Sequence, residues 1–410
     1  MKVFLFLAAA CAFAQPYDLL LKGGRVIDPM NNLSGKLDVA IAGGKIAKVA
    51  PDIPGGDAKR VADVSGLYVT PGLIDIHVHV YAGTGLPGVL TGDNSVYPDG
   101  FSFRSGVTTV VDAGTAGWRN FPDFRNRVIG RSKTRVLALL NVVGGGMGPS
   151  GENEPHDMDV QAAASMAKRN SEVIVGVKTA HYGGPEWVSV ENAVKIGQEA
   201  NIPVMVDFGA NRPERPLRDL LLDKLRPGDI YTHCFSGNRT ELIDARLNPA
   251  MPMGQKRGVF FDVGHGGGSF RWNVAVQAVK EGFFPDSIST DLHTGSMNAG
   301  MKDMTNVMSK FLSLGVPLEQ VIRMSTWTPA NEIKRRELGH LTAGAGADVA
   351  VLRVDNGKYG FLDSSGARYD GTRMIVAEMT IRDGSVVWDL NGRAAQDWQQ
   401  FYTNWQPRRR

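Results

Sequence analysis

The stretch Pro71-Gly-Leu-Ile-Asp75-Ile-His77-Val-His79-Val80 is a short apolar run that carries two histidines, two residues apart. On a β-strand the side chains of residues i and i+2 point to the same face, so His77 and His79 project side by side. Paired imidazoles indicate a metal site, because neutral imidazole is the commonest protein ligand for zinc-like ions. His-x-His is a short pattern, and a structural histidine with a chance neighbour is the alternative.

The chain that follows this stretch alternates short apolar runs with segments of helical spacing. Strands are predicted at residues 73–80, 107–112, 135–143, 173–178, 203–208, 230–235, 258–265 and 287–292. Helical spacing is shown by Leu217, Leu220, Leu221 and Leu225, and again by Met304, Val307, Met308, Phe311 and Leu312. Eight β/α units over about 250 residues match the size of a (β/α)8 TIM barrel. A doubly wound open sheet is the alternative.

Both ends of the chain are rich in β-strand patterns. Residues 17–27 and 37–49 are apolar runs that Gly23-Gly24 and Gly43-Gly44 interrupt, and Gly-Gly between apolar runs predicts a hairpin. A third strand is predicted at residues 66–70. Near the other end, residues 347–354 and 374–388 read as strands, the second with a turn at Asp383-Gly384. We therefore predict an α/β protein whose barrel, residues 70–340, is joined to a small β-sandwich built from residues 16–69 and 341–395, with a tail at 396–410.

Residues 1–14 have the pattern of an export signal. Lys2 is followed by an apolar run from Val3 to Ala10, and Ala12-Phe13-Ala14 fits the small-x-small cleavage pattern. The run is too short to span a bilayer. We expect an exported protein, periplasmic or secreted, whose mature chain begins near Gln15. Lipid attachment at Cys11 is the alternative.

The composition limits the classes of partner. The chain has 410 residues, 43% hydrophobic and 21% charged, with a net charge of +3 that is not concentrated in a patch. The only basic run is Arg408-Arg409-Arg410, which reads as a solvated tail, so nucleic acid is not an expected partner. No later segment predicts a membrane span, and a homo-oligomer remains open. A small molecule is the expected substrate.

In a TIM barrel the chemistry lies where the strands end and the βα loops begin. Residue types that bind metals occur at these predicted ends, namely His77, His79, Asp207, His233, His265 and Asp291. The fourth strand ends in Lys178 instead. An unpaired buried ammonium is strongly disfavoured, so this lysine stands out. Each of these residues alone is weak evidence. Residue types of this kind at so many strand ends are, however, hard to obtain by chance.

This order of residues resembles the amidohydrolase superfamily, and so do the Pro-Gly-Leu-Ile-Asp-Ile-His-Val-His phrase and the split sandwich. The similarity covers nearly the whole mature chain and is greatest to the dihydroorotase-like branch, which includes deacetylases of acylated amino or hydroxy acids. It implies that His77 and His79 hold the more buried metal and that His233 holds the more exposed one. It also implies that Lys178 takes up carbon dioxide to become a carbamate that bridges the two metals.

The resemblance gives roles to the remaining residues. Asp291 would ligate the buried metal and act as general base, and His265 would contact the substrate. Tyr182 and His181 could line the pocket. The fifth strand departs from the pattern, because the family usually has a histidine where this chain has Asp207. An aspartate can bind metal through oxygen, so Asp207 is a candidate ligand that leaves open one metal or two, and manganese as well as zinc.

The chemistry that follows is hydrolysis. Divalent cations lower the pKa of a shared water toward neutral and stabilise the oxyanion, and a carboxylate relays the proton. We therefore expect a metal-dependent hydrolase that cleaves an amide or ester of a small acylated substrate. A cyclic amidase of the dihydroorotase or hydantoinase kind and a non-catalytic scaffold are the alternatives. Arg104, Arg212 and Arg271 are candidates to hold a substrate carboxylate, and surface arginine is the alternative for each.

Overall fold

The computed structural model describes residues 15–82, 94–147, 152–209, 211–403 and 405. The predicted export signal, residues 1–14, lies outside the described residues. Among the residues that are described, no helix combines the length and the apolar character that crossing a membrane requires.

The middle of the chain forms a parallel β/α barrel. Seven strands are hydrogen-bonded side by side in chain order: Leu73–Val78, Val107–Gly117, Arg135–Asn141, Ile174–Thr179, Val204–Val206, Ile230–Tyr231 and Phe260–Phe261. The predicted eighth strand closes the ring through parallel bridges on both sides, Asp262 with Ser287 and Val78 with Leu292. The prediction of a TIM barrel is therefore confirmed, and the open doubly wound sheet is wrong.

The barrel strands are buried on both faces, which explains why their sequences are nearly continuous apolar runs. The main helices around them are Val160–Arg169, Val188–Ala200, Leu217–Asp219 with a π-helical continuation Leu220–Lys224, Ala250–Lys256, Trp272–Lys280, Met304–Ser313, Leu318–Arg323 and Trp327–Glu332. Asp159 and Asp303 cap two of them, because their side chains accept a backbone N–H from the first turn. The predicted helical pattern from Met304 to Leu312 is confirmed.

The two chain ends together form the sandwich. A four-stranded sheet has the order Lys45–Ala50, Asp38–Ala42, Leu19–Lys22, Val61–Asp63, and a six-stranded sheet has the order Ser385–Asp389, Arg368–Arg382, Val349–Leu362, Tyr68–Pro71, Arg25–Asp28, Leu33–Lys36. Their facing sides share one apolar core that includes Leu21, Val39, Val349 and Met379. The sandwich predicted from both termini is therefore confirmed.

One of the predicted hairpins is wrong. The turns at Gly43-Gly44 and Asp383-Gly384 join antiparallel neighbours, as predicted. At Gly23-Gly24, however, the chain crosses from the four-stranded sheet to the six-stranded one. A Cβ on Gly24 would lie 2.7 Å from Val69 Cγ2. The glycine there permits a close crossing between two sheets and not a turn within one.

A long hairpin links the sandwich to the barrel. Strands Val349–Leu362 and Arg368–Arg382 extend well beyond the predicted segments, and their tip reaches the loop after the seventh barrel strand. Trp272 Nε1 donates to the Phe361 carbonyl (3.0 Å), and the Phe270 N–H donates to Ser364 Oγ (3.0 Å). The loop that follows the seventh strand is therefore held in place by the sandwich domain.

Candidate metal centre

The carboxyl ends of the barrel strands bring most of the predicted ligands together. His77, His79, Lys178, Asp207, His233 and Asp291 are all buried. In the inner half of the cluster, Asp291 Oδ1 lies 3.1 Å from His79 Nε2 and 3.7 Å from His77 Nε2. Lys178 Nζ lies 3.1 Å from His77 Nε2. One donor atom each from His77, His233 and Asp291 fall within 4.8 Å of one another.

The outer half of the cluster is centred on Asp207. Its Oδ2 lies 3.3 Å from His233 Nε2 and 3.4 Å from His181 Nε2. Its Oδ1 accepts a hydrogen bond from Arg239 Nη2 at 2.5 Å. The carboxylate therefore presents one oxygen to two imidazoles and uses the other in a buried ion pair. The arginine that contacts Asp207 is Arg239 and not Arg212.

The imidazoles of the cluster are held in the same way, with Nδ1 next to a protein oxygen and Nε2 directed into the cluster. His77 Nδ1 lies 2.9 Å from Thr232 Oγ1, His79 Nδ1 lies 2.8 Å from Thr115 Oγ1, and His233 Nδ1 lies 2.5 Å from the Gly264 carbonyl. Thr232 donates its own hydroxyl proton to Asp262, so the hydrogen between His77 and Thr232 belongs to His77 Nδ1. Each Nε2 is thereby left to face the centre, which is how metal-binding histidines are held.

The backbone around the cluster is shaped to let these groups approach. Gly114, with φ +83°, passes so close to Lys178 that a Cβ there would lie 2.6 Å from Lys178 Cβ. A Cβ on Gly264 would lie 2.4 Å from Thr232 Oγ1. His233 and Asp291 have positive φ values of 62° and 50°. Such conformations are costly for residues with side chains, and they collect at functional sites.

The charges fit a divalent cation. Burial, and then Lys178, lowers the pKa of His77 to about 3, so this imidazole is neutral at pH 7, as a metal ligand has to be. Burial raises the pKa of Asp291, but His77 and His79 more than offset it and hold it below its usual range. His77 thus offers a neutral imidazole and Asp291 an ionised carboxylate, which are donor types that zinc and manganese accept.

Two predicted substrate residues are engaged by other protein groups. His265 is completely buried, with Nε2 2.6 Å from Lys310 Nζ and Nδ1 2.9 Å from the Gly266 carbonyl. Both its ring nitrogens are engaged, so the structure does not place it where a substrate reaches it. Tyr182 donates its hydroxyl to Glu186 (2.8 Å), and its carbonyl accepts from Arg215 Nη2 (2.8 Å).

The third predicted substrate residue, His181, does reach the cluster. Its ring is exposed, its Nε2 faces Asp207, and its Nδ1 lies 2.6 Å from Oε2 of the buried Glu152. Burial lowers the pKa of His181, but Glu152 and Asp207 more than offset this and raise it to about 9, so a cation that binds Nε2 would have to displace a proton.

The candidate arginines do not gather around the cluster. The Arg104 guanidinium lies over the Trp388 ring, 5.6 Å from its centroid, on the side of the sandwich. Arg271 Nη2 donates to Asn238 Oδ1 at 2.9 Å. Arg212 is exposed, and its backbone is bridged to Arg215. The contacts of these side chains give no support to any of the three as the anchor of a substrate carboxylate.

Two residues of the cluster were missed from the sequence. Glu152 and Arg239 both lie in loops, where no periodicity marks the direction of a side chain. Arg239 is buried and also donates from Nε to the Gly209 carbonyl (3.2 Å). The signal that could have indicated it is Asp207 itself, because a buried carboxylate requires a partner.

The sequence and the fold have known relatives. A model of the amidohydrolase family matches residues 271–381. A protein named deacetylase from Brucella anthropi is 37% identical over 323 residues, which are 76% of this chain and 77% of that protein. A second deacetylase, from Agrobacterium fabrum, is 36% identical over 344 residues, 80% of this chain and 81% of the relative.

Two solved structures superpose on nearly the whole described chain. The crystal structure of an adenine deaminase superposes with a TM-score of 0.82 at 30% identity and covers 91% of this chain and 100% of its own. The crystal structure of a dihydroorotase gives a TM-score of 0.79 at 30% identity, covering 90% of this chain and 99% of its own.

Proposed function

The chain belongs to the amidohydrolase superfamily, and from this premise we propose that it is a metal-dependent hydrolase that cleaves an amide or ester bond of a small acylated substrate. The observation that carries the proposal is the inward orientation of His77, His79 and His233 around the carboxylate of Asp291. The relatives named deacetylase support an acylated substrate. Zinc is the first candidate metal, and manganese is the second.

Asp291 is the proposed general base. A divalent cation at this centre would lower the pKa of a water molecule and polarise the substrate carbonyl. The carboxylate of Asp291 is ionised, and its side chain is 12% exposed, against 1% for His77 and 4% for His79. The Asp291 carboxylate is therefore negatively charged, so it can accept a proton, and it is open to the mouth of the barrel. Asp291 would take the proton of the water and return it to the leaving nitrogen or oxygen.

Lys178 is the proposed carbamate, and a second buried lysine shows why. Lys310 Nζ has three partners, His265 Nε2 (2.6 Å), the Gly300 carbonyl (2.8 Å) and the Leu362 carbonyl (2.7 Å), which match its three donors. Among the described residues, Lys178 Nζ makes one hydrogen bond, to His77 Nε2. After losing a proton, the Lys178 amine would add to carbon dioxide and release a second proton. The resulting carbamate anion would replace this poorly paired ammonium with oxygens that can bind metal.

The proposal is tested by removing and restoring the metal. The protein is treated with a chelator, its metal content is measured, and activity is assayed on N-acyl amino acids, O-acyl hydroxy acids and cyclic amides with zinc or manganese added. We expect no turnover without metal and recovery on one acylated class. Full activity in protein verified to be metal-free would overturn the proposal. No turnover of any class, with no metal bound, would favour a scaffold.

A cyclic amidase is the second candidate, because a solved dihydroorotase is 30% identical to this chain and superposes on it with a TM-score of 0.79. The same panel separates the two. Turnover of cyclic amides alone would select the cyclic amidase, whereas turnover of linear acyl compounds would select the deacetylase-like reaction.

We also propose that the protein is exported. The basis is the pattern of Lys2, the apolar run and Ala12-Phe13-Ala14. N-terminal sequencing of the native protein is expected to begin near Gln15. A native chain that begins at Met1 would contradict export, and one that begins at a lipid-modified Cys11 would replace the soluble product with an anchored one.

A further inference from the structure

His181 repeats the arrangement of the predicted metal ligands. Like His77, His79 and His233, it has an Nδ1 engaged by a protein oxygen and an Nε2 that faces a carboxylate of the cluster. It also has a positive φ, 55°, as do His233 and Asp291. An exposed histidine in a loop usually forms hydrogen bonds to water through both ring nitrogens. Here one nitrogen is fixed, and the other is directed at Asp207.

The group that holds His181, the Glu152 carboxylate, is buried and hydrogen-bonded on both oxygens. Glu152 is only 3% exposed, although it lies in a loop. Its Oε1 accepts a hydrogen bond from Asn141 Nδ2 (2.6 Å), and Asn141 is the register partner of Lys178 in the neighbouring strand. Its Oε2 holds His181 Nδ1 at 2.6 Å. A carboxylate behind an imidazole fixes the ring and raises its basicity, which is the usual support of a metal-bound histidine.

Asp207 is held so that one oxygen remains for the imidazoles. Arg239 and the Gly209 N–H (3.3 Å) both donate to Oδ1. Oδ2 lies between His181 Nε2 and His233 Nε2, at 3.4 and 3.3 Å. Two imidazole nitrogens, from the fourth and sixth strand ends, thus flank one carboxylate oxygen from the fifth. His79 and Asp291 belong to the inner half alone, whereas His233 also lies beside it, because one of its nitrogens is within 4.8 Å of donor atoms of His77 and Asp291.

We infer that His181 is a metal ligand of the outer half-site, together with His233 and Asp207, and that Glu152 is its positioning residue. The inference rests on the proposed function, because it assigns a residue to the same centre. His181 is thus assigned to the metal and not, as the sequence suggested, to the lining of the substrate pocket. Because the ring of His181 is exposed while the other ligands are buried, it is also the ligand that an entering cation meets first.

The experiment measures metal binding and not activity. Zinc is titrated calorimetrically into chelator-treated protein in bicarbonate buffer, and bound metal is counted by mass spectrometry. The proteins are wild type, His181→Ala, Glu152→Gln and the control His156→Ala. His156 is an exposed histidine whose Nδ1 also pairs with a glutamate, Glu154 Oε2 at 3.2 Å. Circular dichroism and thermal unfolding confirm that each variant is folded.

We expect wild type and His156→Ala to bind two ions alike. His181→Ala should keep the tighter ion and bind the second at least about tenfold more weakly, and Glu152→Gln should weaken it by roughly 10- to 100-fold. Unchanged binding of every ion by His181→Ala would overturn the inference while leaving the proposed function intact, whether wild type binds one ion or two. Absence of any bound ion in wild type would overturn both.

Discussion

The inner and outer halves of the cluster are built in different ways. In the inner half, His77, His79 and Asp291 come from the first and eighth strand ends, and among the described residues the only cation beside them is Lys178. In the outer half, Asp207 is paired with the guanidinium of Arg239, and His181 comes from a loop. The inner half therefore offers a free anionic charge to a cation, whereas part of the outer charge is already neutralised. We expect the inner half to bind metal more tightly.

The largest effect is expected from removing Lys178, the group between the two halves. Lys178→Ala should lose metal from both half-sites and abolish activity, because the proposed carbamate supplies oxygens to each. Intact-mass measurement of wild type should show the mass of one added carbon dioxide, and short carboxylic acids should partly restore the variant. Lys310→Ala is the control, and it should lower the melting temperature but keep the metal content. A bare Lys178 amine in fully metal-loaded, active protein would contradict the account.

Removing the base of the inner half has the next largest effect. Asp291→Asn should keep the fold and most of the metal but lose turnover by roughly a hundredfold or more, as expected for the loss of a general base. Steady-state kinetics with metal analysis measures this. Asp159→Asn is a matched control, because asparagine also caps a helix and this site is remote from the cluster. Activity near that of wild type in Asp291→Asn would remove its assigned role.

The ion pair of the outer half is tested through stability. Arg239→Leu leaves Asp207 buried without its cation, which should cost about 3–5 kcal/mol in metal-free protein. Added zinc should restore much of this loss, because the cation replaces the guanidinium beside the carboxylate. Thermal unfolding with and without zinc measures both effects.

The control for that experiment is Arg226→Leu. It removes a similar pair, since Arg226 Nη2 lies 2.6 Å from Oδ1 of the buried Asp229, but no contact joins that pair to the cluster in the described residues. It should be destabilised without a larger gain from zinc. An equal zinc-induced shift in both variants would show that Asp207 does not face a cation.

The smallest expected effect concerns a residue that orients the inner half. Thr232→Val keeps the shape of the side chain but removes the hydroxyl between His77 Nδ1 and Asp262. The affinity for the tighter ion should fall by roughly 10- to 100-fold, with the second ion less affected. Calorimetry compares it with Thr342→Val, an exposed threonine of the sandwich domain. A larger effect on the weaker ion would reverse the assignment of the two halves.

Most of the fold could be predicted because it depends on periodic patterns. Parallel barrel strands are apolar on both faces, so they stand out from the amphipathic helices between them. Several strands are shorter than predicted, for example Phe260–Phe261 within the predicted 258–265, because the chain turns at positive φ values at Gly264 and Gly266. The long hairpin was missed because its outer half, near Lys358 and Arg368, is polar and exposed without clear alternation.

The site could be predicted only where it lies on strands. The alternation of side chains places His77 and His79 on one face, and the topology brings the other strand ends to the same mouth. The direction of the His265 ring could not be predicted, because the turn at Gly264 directs it toward Lys310 and no local pattern reveals this. Arg239 and Glu152 are loop residues whose partners are 32 and 29 positions away.

A calorimetric titration of zinc into metal-free wild-type protein, with bicarbonate present, is the most direct test of a metal centre with two unlike half-sites. The two unlike halves predict two binding events, a tight one for the inner ligands and a weaker one for the outer ligands, with bound metal confirmed by mass spectrometry. Two events of equal affinity would contradict the difference between the halves. Absence of binding would contradict the metal centre itself.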